Sequence, residues 1–450
     1  MTSTHVAYGP TDGLSYDPSE PVYWDPEGLA KEVTRVFEVC HGCRMCFKYC
    51  DSFPTLFDFI DNEADEDVRK LTSEQTQAVM DGCFQCKLCE VQCPYTPRDE
   101  HEFQLDFPKL VHRYRAQQHR RQGGRLRDRL LRNPDLAGRL ARLSFGLANV
   151  FNRIGVVRSL LQAMLGVHRH KLLPEFAQTT FERWAETTGR IAGPETEPEV
   201  VLFPTCYVQN NEPEIGRDTL EVLDRNGVKS ACSRGLACCG MPAWEAGDLD
   251  TLRSRARTNL DRLLPYVEAG AKVLAINPTC SMMLRRELPE LCEGRDRERA
   301  ETLAQAVMDP AEYVWSIREE ERFNTDVQSR PEGAFAYHAP CHLRAQAIGF
   351  RGRDLIRKVL GIRPSMVMEC SGHDGTWAMT TEGFEPSQKV GAKAFGEMQS
   401  AETPLWSSEC PLAALQFQQH AGTKALHPMT LLARAYRGDS FAAAAPEPKA

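Results

Sequence analysis

The sequence predicts an α/β protein in which a small helical module comes first and two copies of one α/β unit come last. Three observations support this prediction. Eight of the 17 cysteines fall in two short groups, at 40–50 and 83–93. Apolar residues recur at helical spacing in front of the first group. After residue 196, short β-rich runs alternate with helical segments, and this layout occurs twice.

Composition excludes several classes of protein. The chain has 450 residues, which at about 150 residues per domain suggests three domains. Its net charge of -8 argues against general nucleic-acid binding. The longest uncharged stretch, 410–423, has 14 residues, whereas a membrane-spanning helix needs about 20. Residues 1–30 are acidic and lack an apolar run, so they do not form a secretory signal, and we expect a cytoplasmic protein.

The N-terminal part divides into an extended arm, 1–30, and a helical module, 31–110. The arm is rich in Gly and Pro and has no helical period. Apolar residues at helical spacing predict a helix over Glu27–Val39, directly before the first cysteine group. A second helix is predicted over Thr72–Met80, just before the second group.

A linker over 111–195 has the opposite charge from the chain as a whole. Residues 113–142 contain ten arginines and only two acidic residues. The apolar stretch Leu143–Val167, interrupted by Arg153 and Arg158, predicts an amphipathic helix that binds a surface and is not part of a core. Two partners remain open for this linker: an anionic membrane surface on the inner face of the membrane, or an acidic partner subunit.

The C-terminal part is predicted to hold two α/β domains, 196–325 and 326–437, followed by a low-complexity tail, 438–450. The cysteine intervals agree between the copies, from 206 to 238 to 280 and from 341 to 370 to 410. The clearest predicted strands are Glu199–Phe203 and Lys272–Ile276 in the first copy, with Ala334–Tyr337 and Pro404–Trp406 in the second. An internal duplication follows.

The 17 cysteines point to metal or redox chemistry, since a reducing compartment does not maintain disulfides. The first two groups have the spacing x2, x2, x3 of a bacterial ferredoxin, which holds two 4Fe-4S clusters. In such a run the fourth cysteine binds the cluster of the other group. One cluster is therefore predicted on Cys40, Cys43, Cys46 and Cys93, and the other on Cys83, Cys86, Cys89 and Cys50. Zinc fits eight cysteines at these spacings poorly.

The later cysteines follow predicted strands or turns, at the carboxyl edge of a parallel sheet. The first copy supplies Cys206, Cys238, Cys239 and Cys280, which are enough thiolates for a further iron-sulfur or metal centre. Gly240 lets the backbone turn tightly after the cysteine pair. The second copy supplies Cys341, Cys370 and Cys410. Two cysteines outside the repeated positions, Cys232 and Cys292, are interpreted as buried structural thiols.

These motifs resemble a known family. A lone Cys, then Cys-Cys-Gly, then a later Cys is similar to the CCG domain of heterodisulfide reductase. The whole arrangement, from about Val33 to Tyr436, resembles the iron-sulfur subunits of anaerobic glycerol-3-phosphate dehydrogenase and of glycolate oxidase. The stretches that carry the likeness begin at Cys206 (CYVQNNEP), Cys238 (CCGMP), Thr279 (TCSMMLR), His338 (HAPCHL) and His427 (HPMTLL).

The resemblance implies an electron-carrying, membrane-associated subunit that passes electrons from a flavin dehydrogenase towards quinone. The dehydrogenase would act on glycerol 3-phosphate or a 2-hydroxy acid. Some similar chains are encoded near rubrerythrin-like peroxide-reducing proteins, which offer a different electron partner. No flavin or nicotinamide motif is present in the sequence, so hydride chemistry is expected in a partner. A thiol or disulfide reductase and a scaffold with only structural metal remain as alternatives.

The chain departs from the CCG pattern in both copies. Met283 and Ala413 stand where a full repeat has its final cysteine, and Ser371 replaces the second cysteine of the second pair. A non-cubane centre with five cysteines is therefore not expected in either copy. His342 and His373 are candidate ligands in the second copy, with ordinary polar histidines as the alternative. We expect a functional asymmetry in which the first copy carries the terminal centre.

Overall fold

A computed structural model of the protein describes residues 6–124 and 126–441, without the side chains of 126–128. The start of the predicted arm, Arg125, the side chain of Arg127 and most of the predicted tail lie outside the described residues. The chain forms two compact units, one from 6–124 with 243–250 and the other from 126–242 with 251–441. The six-part division expected from the sequence stays a prediction.

Residues 6–124 of the first unit form five α-helices. Asp25 begins the first of them, because its side chain accepts hydrogen bonds from the amides of Glu27 and Gly28. The helix ends at Cys43, and the next residue, Arg44, has a left-handed backbone. The helices are α1 (Pro26–Cys43), α2 (Ser52–Asn62), α3 (Ser73–Asp81), α4 (Leu88–Gln92) and α5 (Phe107–Gln122).

The core of the first unit lies between α1, α2 and α5. Val36, Leu56 and Val111 are fully buried there. The rings of Phe53 and Phe107 pack with their centroids 4.7 Å apart. Helices predicted over Glu27–Val39 and Thr72–Met80 are therefore present as α1 and α3, and α1 continues through Cys40 and Cys43.

The second unit opens with a run of short helices. They are α6 (Leu126–Leu131), α7 (Pro134–Leu143), α8 (Leu147–Arg153), α9 (Gly155–Leu165) and α10 (Phe181–Thr187). The prediction of one amphipathic helix over Leu143–Val167 is wrong, because two helices meet at an extended Ile154. A β-branched residue followed by Gly155 favours such a break, since both residue types lower helix propensity.

Two parallel sheets follow. The first has four strands in the order β2-β1-β3-β4, and the second has three strands in the order β6-β5-β7. The strands are β1 (Val200–Phe203), β2 (Ser230–Cys232), β3 (Lys272–Ala275), β4 (Val307–Met308), β5 (Ala336–His338), β6 (Ser365–Val367) and β7 (Trp406–Ser408). The predicted α/β class is confirmed. The matching orders β2-β1-β3 and β6-β5-β7 support the duplication, which stays a prediction.

Helices connect these strands along the chain. They are α11 (Thr205–Asn210), α12 (Pro213–Arg225), α13 (Met241–Glu245), α14 (Leu249–Glu268), α15 (Pro278–Met282), α16 (Leu288–Leu291), α17 (Arg295–Ala306), α18 (Pro310–Ser316), α19 (Cys341–Gln346), α20 (Arg351–Leu355), α21 (Phe384–Ser400), α22 (Pro411–Ala421) and α23 (Pro428–Arg437). Short π-helical turns continue α15 and α20. Along the described chain, no helix combines the length and the apolar character that crossing a bilayer requires.

The strand ends position the later cysteines. Cys206 lies in α11 directly after β1, and Cys280 lies in α15 directly after β3. Cys341 and Cys410 follow β5 and β7 in the same way. Because all strands are parallel within each sheet, these cysteines lie at the carboxyl edges.

Candidate metal centres

The first group of thiols in the helical unit combines one run of sequence with a residue from the other. Cys40 and Cys43 lie in the last turn of α1, and Cys93 directly follows α4. Burial raises the pKa of Cys40 well above the usual thiol value, and the thiols of Cys46, Cys93 and Cys43 raise it further. Burial also raises the pKa of Cys46 to about 12, together with Cys93 and Cys43. Cys40, Cys43, Cys46 and Cys93 are thus neighbours in space.

A cavity lies at this group. Cys40, Cys43, Cys46 and Cys93 all line it, and the rest of its wall is mostly apolar, including Phe53 and Phe107. Thiolate sulfur is the ligand that iron-sulfur clusters use, and an apolar wall keeps water away from them. The residues present therefore fit a cluster at this position.

The second group in the same unit has the reciprocal composition. Burial raises the pKa of Cys50 well above its usual value, followed by the nearby thiols of Cys83 and Cys86. Burial likewise raises the pKa of Cys89, followed by Cys86, Cys83 and then Cys50. The crossed arrangement expected from the spacing is therefore present as proximity between thiols. Ligation of metal by these thiols stays a prediction.

The loop of the second group is shaped for close approach of the backbone. Gln85 and Lys87 both have left-handed backbone conformations, with φ of 53° and 60°. The amide of Gln85 donates to the Cys83 sulfur at 3.4 Å. Hydrogen bonds to sulfur are one means by which a protein sets the potential of a cluster.

Two residues that lie near these thiols, Arg35 and Tyr95, were not identified from the sequence as part of the site. Arg35 is fully buried in an ion pair with Glu32, and its charge lowers the pKa of Cys40 against the larger effect of burial. The hydroxyl of Tyr95 hydrogen-bonds with Cys43, whose charge is the main cause of the raised pKa of Tyr95. Tyr95 directly follows the Cys-Pro pair, but nothing in its sequence context distinguishes it from a core aromatic.

In the second unit, four thiols of the first repeat form one continuous cluster. Hydrogen bonds from Cys206 and Cys239 hold the pKa of Cys238 well below the usual thiol value. Cys239 is also hydrogen-bonded to Cys280, and its own pKa is raised. Cys238, Cys239 and Cys280 are buried, and Cys206 is half-buried. All four predicted ligands of this repeat are therefore together.

The loop that carries the cysteine pair is held from two sides. Asp135, at the start of α7, accepts a hydrogen bond from the amide of Cys238 at 3.0 Å. Asn259 on α14 accepts one from the amide of Ala237 at 2.9 Å. Gly240 has a φ of +97°, and a Cβ there would lie 2.4 Å from Leu252. The need for glycine was predicted, whereas Asp135 and Asn259 were missed because both are distant in sequence.

A cavity adjoins this cluster and is lined by Asp135, Phe181, Cys206, Cys232 and Cys238, among others. The chemistry of the four thiols fits a metal-sulfur centre. Among the described residues, no three His, Cys, Asp or Glu side chains are arranged as ligands of a single metal ion.

The second repeat is arranged differently. Burial raises the pKa of Cys370 to about 11, and the next influences are the amide of Gly372, then Asp374 and Arg344. Burial raises the pKa of Cys410 to about 11, and the nearby Cys280 of the first repeat is among the further causes. Cys341 begins α19.

Two histidines were candidates for completing the second site. His342 shares a hydrogen bond between its Nδ1 atom and the Thr279 hydroxyl at 2.9 Å. Both ring nitrogens of His373 are buried and have no hydrogen-bond partner within the described chain. Burial lowers the pKa of His373 to about 3, so the ring is neutral and has a lone pair available. Ligation of metal by either histidine stays a prediction.

The remaining cysteines are buried singly. Burial raises the pKa of Cys232 to about 12 and that of Cys292 to about 11. Cys232 ends β2 and packs in the core. The structural role expected for both thiols stays a prediction.

Comparison with known proteins agrees with these groups. Residues 39–96, which contain the first eight cysteines, match the family model of a 4Fe-4S dicluster domain. Residues 200–285, which contain the four clustered thiols of the first repeat, match the model of a cysteine-rich domain, CCG.

Several curated proteins are similar over much of the chain. One subunit of the anaerobic glycerol-3-phosphate dehydrogenase of Escherichia coli K12 is 27% identical, over 69% of this chain and 77% of its own length. The glycolate oxidase iron-sulfur subunit of the same strain is 25% identical, over 78% and 83%. Lactate utilization protein A of Bacillus licheniformis is 25% identical, over 47% and 87%. The resemblance expected from the motifs is confirmed.

Proposed function

We propose that this chain is an iron-sulfur subunit that carries electrons between a partner dehydrogenase and an acceptor. The observation that supports it most is the crossed grouping of eight thiols, in which Cys93 joins the first group and Cys50 joins the second. Such a grouping is what two 4Fe-4S clusters require of a ferredoxin-type run. When bound, these clusters supply one-electron transfer.

The residues around the thiols have separate tasks in this proposal. The apolar wall of the first cavity excludes water from the sulfur atoms. Arg35 places a buried positive charge near Cys40, and Tyr95 hydrogen-bonds with Cys43. Positive charge and hydrogen bonds at sulfur favour the more negative, reduced state.

A third centre is proposed in the first repeat. Its ligands are Cys206, Cys238, Cys239 and Cys280, which are already in contact. The second repeat contributes mainly structure, and any metal there would use Cys341, Cys370, Cys410 and His373. The first repeat thus holds the proposed terminal centre of electron transfer within the chain.

Reduction and reoxidation of the full chain test this function. The protein is purified anaerobically, reduced with dithionite, and mixed with a soluble quinone while its visible absorbance and EPR spectrum are followed. We expect bleaching and EPR signals on reduction, both reversed by quinone. A protein without reducible centres contradicts the proposal, and so does thiol-disulfide turnover by the isolated chain without reduction of any cluster.

The proposed donor is a flavin dehydrogenase for glycerol 3-phosphate or a 2-hydroxy acid. This proposal rests on the names of the relatives, which refer to glycerol-3-phosphate dehydrogenase, glycolate oxidase and lactate utilization. Reduction of the clusters by each purified dehydrogenase with its substrate distinguishes these donors. A rubrerythrin-like protein that draws electrons from the reduced chain would instead identify a peroxide-reducing acceptor.

We also propose that the chain contacts a membrane through an apolar surface on α7, α8 and α9. Ten large apolar side chains are exposed between residues 140 and 164, and Phe145 and Val156 reach 94% and 80% exposure. Exposed arginines, including Arg139 and Arg153, accompany them. Apolar side chains with flanking arginines suit an anionic bilayer better than an acidic protein surface. A quinone dissolved in the bilayer would then be the acceptor.

Sedimentation with lipid vesicles tests the membrane contact. We expect the full chain to sediment with vesicles that contain anionic lipid and much less with neutral ones. Replacing Phe145 and Val156 by Glu is expected to abolish sedimentation, whereas Met368→Glu, at an exposed apolar residue elsewhere, is the matched control. Equal binding to both kinds of vesicle, or no binding to either, contradicts this contact.

A further inference from the structure

One face of α14 lies against the loop of the cysteine pair. Asn259 accepts a hydrogen bond from the amide of Ala237, and Leu252 packs where a side chain at Gly240 would lie. Arg255 lies between them, three residues after Leu252 and four before Asn259. Residues at this spacing share one face of a helix. Arg255 therefore faces the thiol cluster of the first repeat.

The Arg255 side chain is buried and incompletely paired. The residue is 9% exposed, and its Nη1 atom is buried without a hydrogen-bond partner among the residues that the structure describes. A buried donor without a partner costs about 1–3 kcal/mol. Native proteins rarely keep such a group, so an N–H of this kind indicates a missing acceptor.

The charge of Arg255 acts on the same loop. It lowers the pKa of Cys238, after the larger effects of hydrogen bonds from Cys206 and Cys239. It also lowers the pKa of Asp135, which burial and Cys238 together raise. Arg255 is thus a buried cation beside thiols and a carboxylate, where negative charge needs compensation.

We propose that Arg255 donates its free N–H to a metal-sulfur centre held by Cys206, Cys238, Cys239 and Cys280 and raises the reduction potential of that centre. This inference rests on the proposed third centre. The acceptor of this hydrogen bond is a sulfur atom, either of the centre itself or of one of its cysteine thiolates. Sulfur is the acceptor available to a buried guanidinium that lies beside four thiolates.

The direction of the effect follows from the charge balance. Reduction transfers one electron from a reduced donor, which is oxidised, to the centre, whose charge becomes more negative by one. No bond is made or broken, and no proton moves. A fixed buried cation favours the more negative state, because the Coulomb energy is large where the dielectric constant is low.

A potentiometric titration followed by EPR tests the inference on the full chain. The variants are Arg255→Gln, which removes both the charge and the guanidinium N–H, and Arg255→Lys, which keeps the charge but removes the guanidinium N–H that is proposed to bond the centre. Arg257→Gln is the control, because Arg257 lies on the same helix but is exposed and paired with Asp296. The signals of the ferredoxin-type clusters serve as an internal reference, and iron content shows whether all centres are present.

We expect Arg255→Gln to lower the reduction potential of the third centre and of no other. At a fixed potential, the ratio of reduced to oxidised third centre should fall at least tenfold. For one electron this equals about 59 mV. Arg255→Lys should show a smaller decrease, and Arg257→Gln none. An unchanged third potential in Arg255→Gln, or an equal decrease in Arg257→Gln, overturns the inference.

If Arg255→Gln does not retain the third centre, the lysine variant decides. A potential below that of the wild type supports the inference, and one equal to or above it overturns the inference. A wild-type protein that lacks a third signal contradicts the third centre itself. That result is distinct from any outcome that concerns Arg255.

Discussion

At the scale of single residues, Cys93 connects two distant parts of the helical unit. It follows α4, yet its thiol influences Cys40 and Cys46, which lie at the end of α1 and just after it. The backbone amide of Cys93 donates hydrogen bonds to the carbonyls of Cys89 and Glu90 in α4. Only the side chain therefore belongs to the other group.

Replacing Cys93 by Ala is expected to damage the cluster on Cys40, Cys43 and Cys46 and to spare the other. The physical reason is the loss of one of four thiolates at that cluster. EPR of the reduced full chain measures it, with Cys292→Ala as the control at a single buried thiol. If Cys93→Ala instead removes the cluster on Cys83, Cys86 and Cys89, the crossed arrangement is wrong.

Gly240 allows a second prediction at this scale. Gly240 and Gly270 have nearly equal φ values, +97° and +95°, but only Gly240 has a neighbour, Leu252, within 4 Å. Backbone strain in an alanine variant costs about 1–3 kcal/mol at either position. Overpacking against the fully buried Leu252 adds about 1–3 kcal/mol at Gly240.

We therefore expect Gly240→Ala to lower the free energy of unfolding more than Gly270→Ala does, and to lose iron from the third centre as well. Urea denaturation and iron content measure the two effects. Equal destabilisation by the two variants, with normal iron content in both, contradicts the close approach at Gly240.

At the scale of elements, the two repeats differ in how their cysteines are placed. Strands β1 and β3 deliver Cys206 and Cys280 to one cluster with the pair on the loop after β2. In the second repeat, Cys410 has Cys280 of the first repeat as a neighbour, and Cys370 is influenced most by burial and its own loop. Similar sheets therefore carry dissimilar sites.

This asymmetry predicts different results for two matched variants. Cys239→Ala should remove the third centre and its electron transfer, because the Cys239 thiol is hydrogen-bonded to both Cys238 and Cys280. Cys370→Ala should leave iron content and electron transfer nearly unchanged. Iron analysis and EPR on both variants measure this, and equal losses would falsify the asymmetry and indicate a metal in each repeat.

The success of prediction from sequence also varied among elements. α1 and α3 were predictable because their apolar residues keep helical period. β2 and β4 were not predicted, and β5 and β7 were predicted only to within two residues of their bounds, because strands of two or three residues carry little period. The tight turn expected after the cysteine pair is present, with a positive φ at Gly240 that glycine adopts readily.

The cysteines of the site were predictable because their spacing along the chain is local. The residues that packing brings beside them were not predictable. The thiols are recognised from x2, x2, x3 spacing and from the cysteine pair. Asp135, Arg255 and Asn259 come from helices α7 and α14, and only the folded chain brings them to the cysteine pair. The exposed Phe145 likewise lies in a turn between α7 and α8, where the sequence predicted a continuous helix.

At the scale of the whole molecule, a buried carboxyl in the second unit makes stability depend on pH. Asp309 is 4% exposed, and burial raises its pKa to about 7, against the effects of Ser281 and Arg285. Glu312 raises it further, and Glu409 also faces this group. The folded state therefore holds a proton on Asp309 between about pH 4 and 7 that the unfolded state has released.

This difference predicts that stability decreases as pH rises from about 4 to 7, by at most about 1.4 kcal/mol per pH unit from this group. Asp309→Asn should make the pH profile flatter in that range, because the amide does not titrate. Thermal unfolding of the full chain between pH 5 and 7.5 measures the slope. Asp261→Asn, at an exposed carboxyl paired with Arg299, should keep the wild-type slope, and an unchanged slope in Asp309→Asn contradicts the assignment.

The first eight cysteines are proposed to hold two 4Fe-4S clusters independently of the later thiols. The test is iron and acid-labile sulfide analysis of an anaerobically purified full chain in which Cys206, Cys238, Cys239 and Cys280 are replaced by Ala. We expect about eight iron and eight sulfide per chain, with EPR signals of two reduced clusters. Bound zinc in place of iron, or only about four iron per chain, would contradict it.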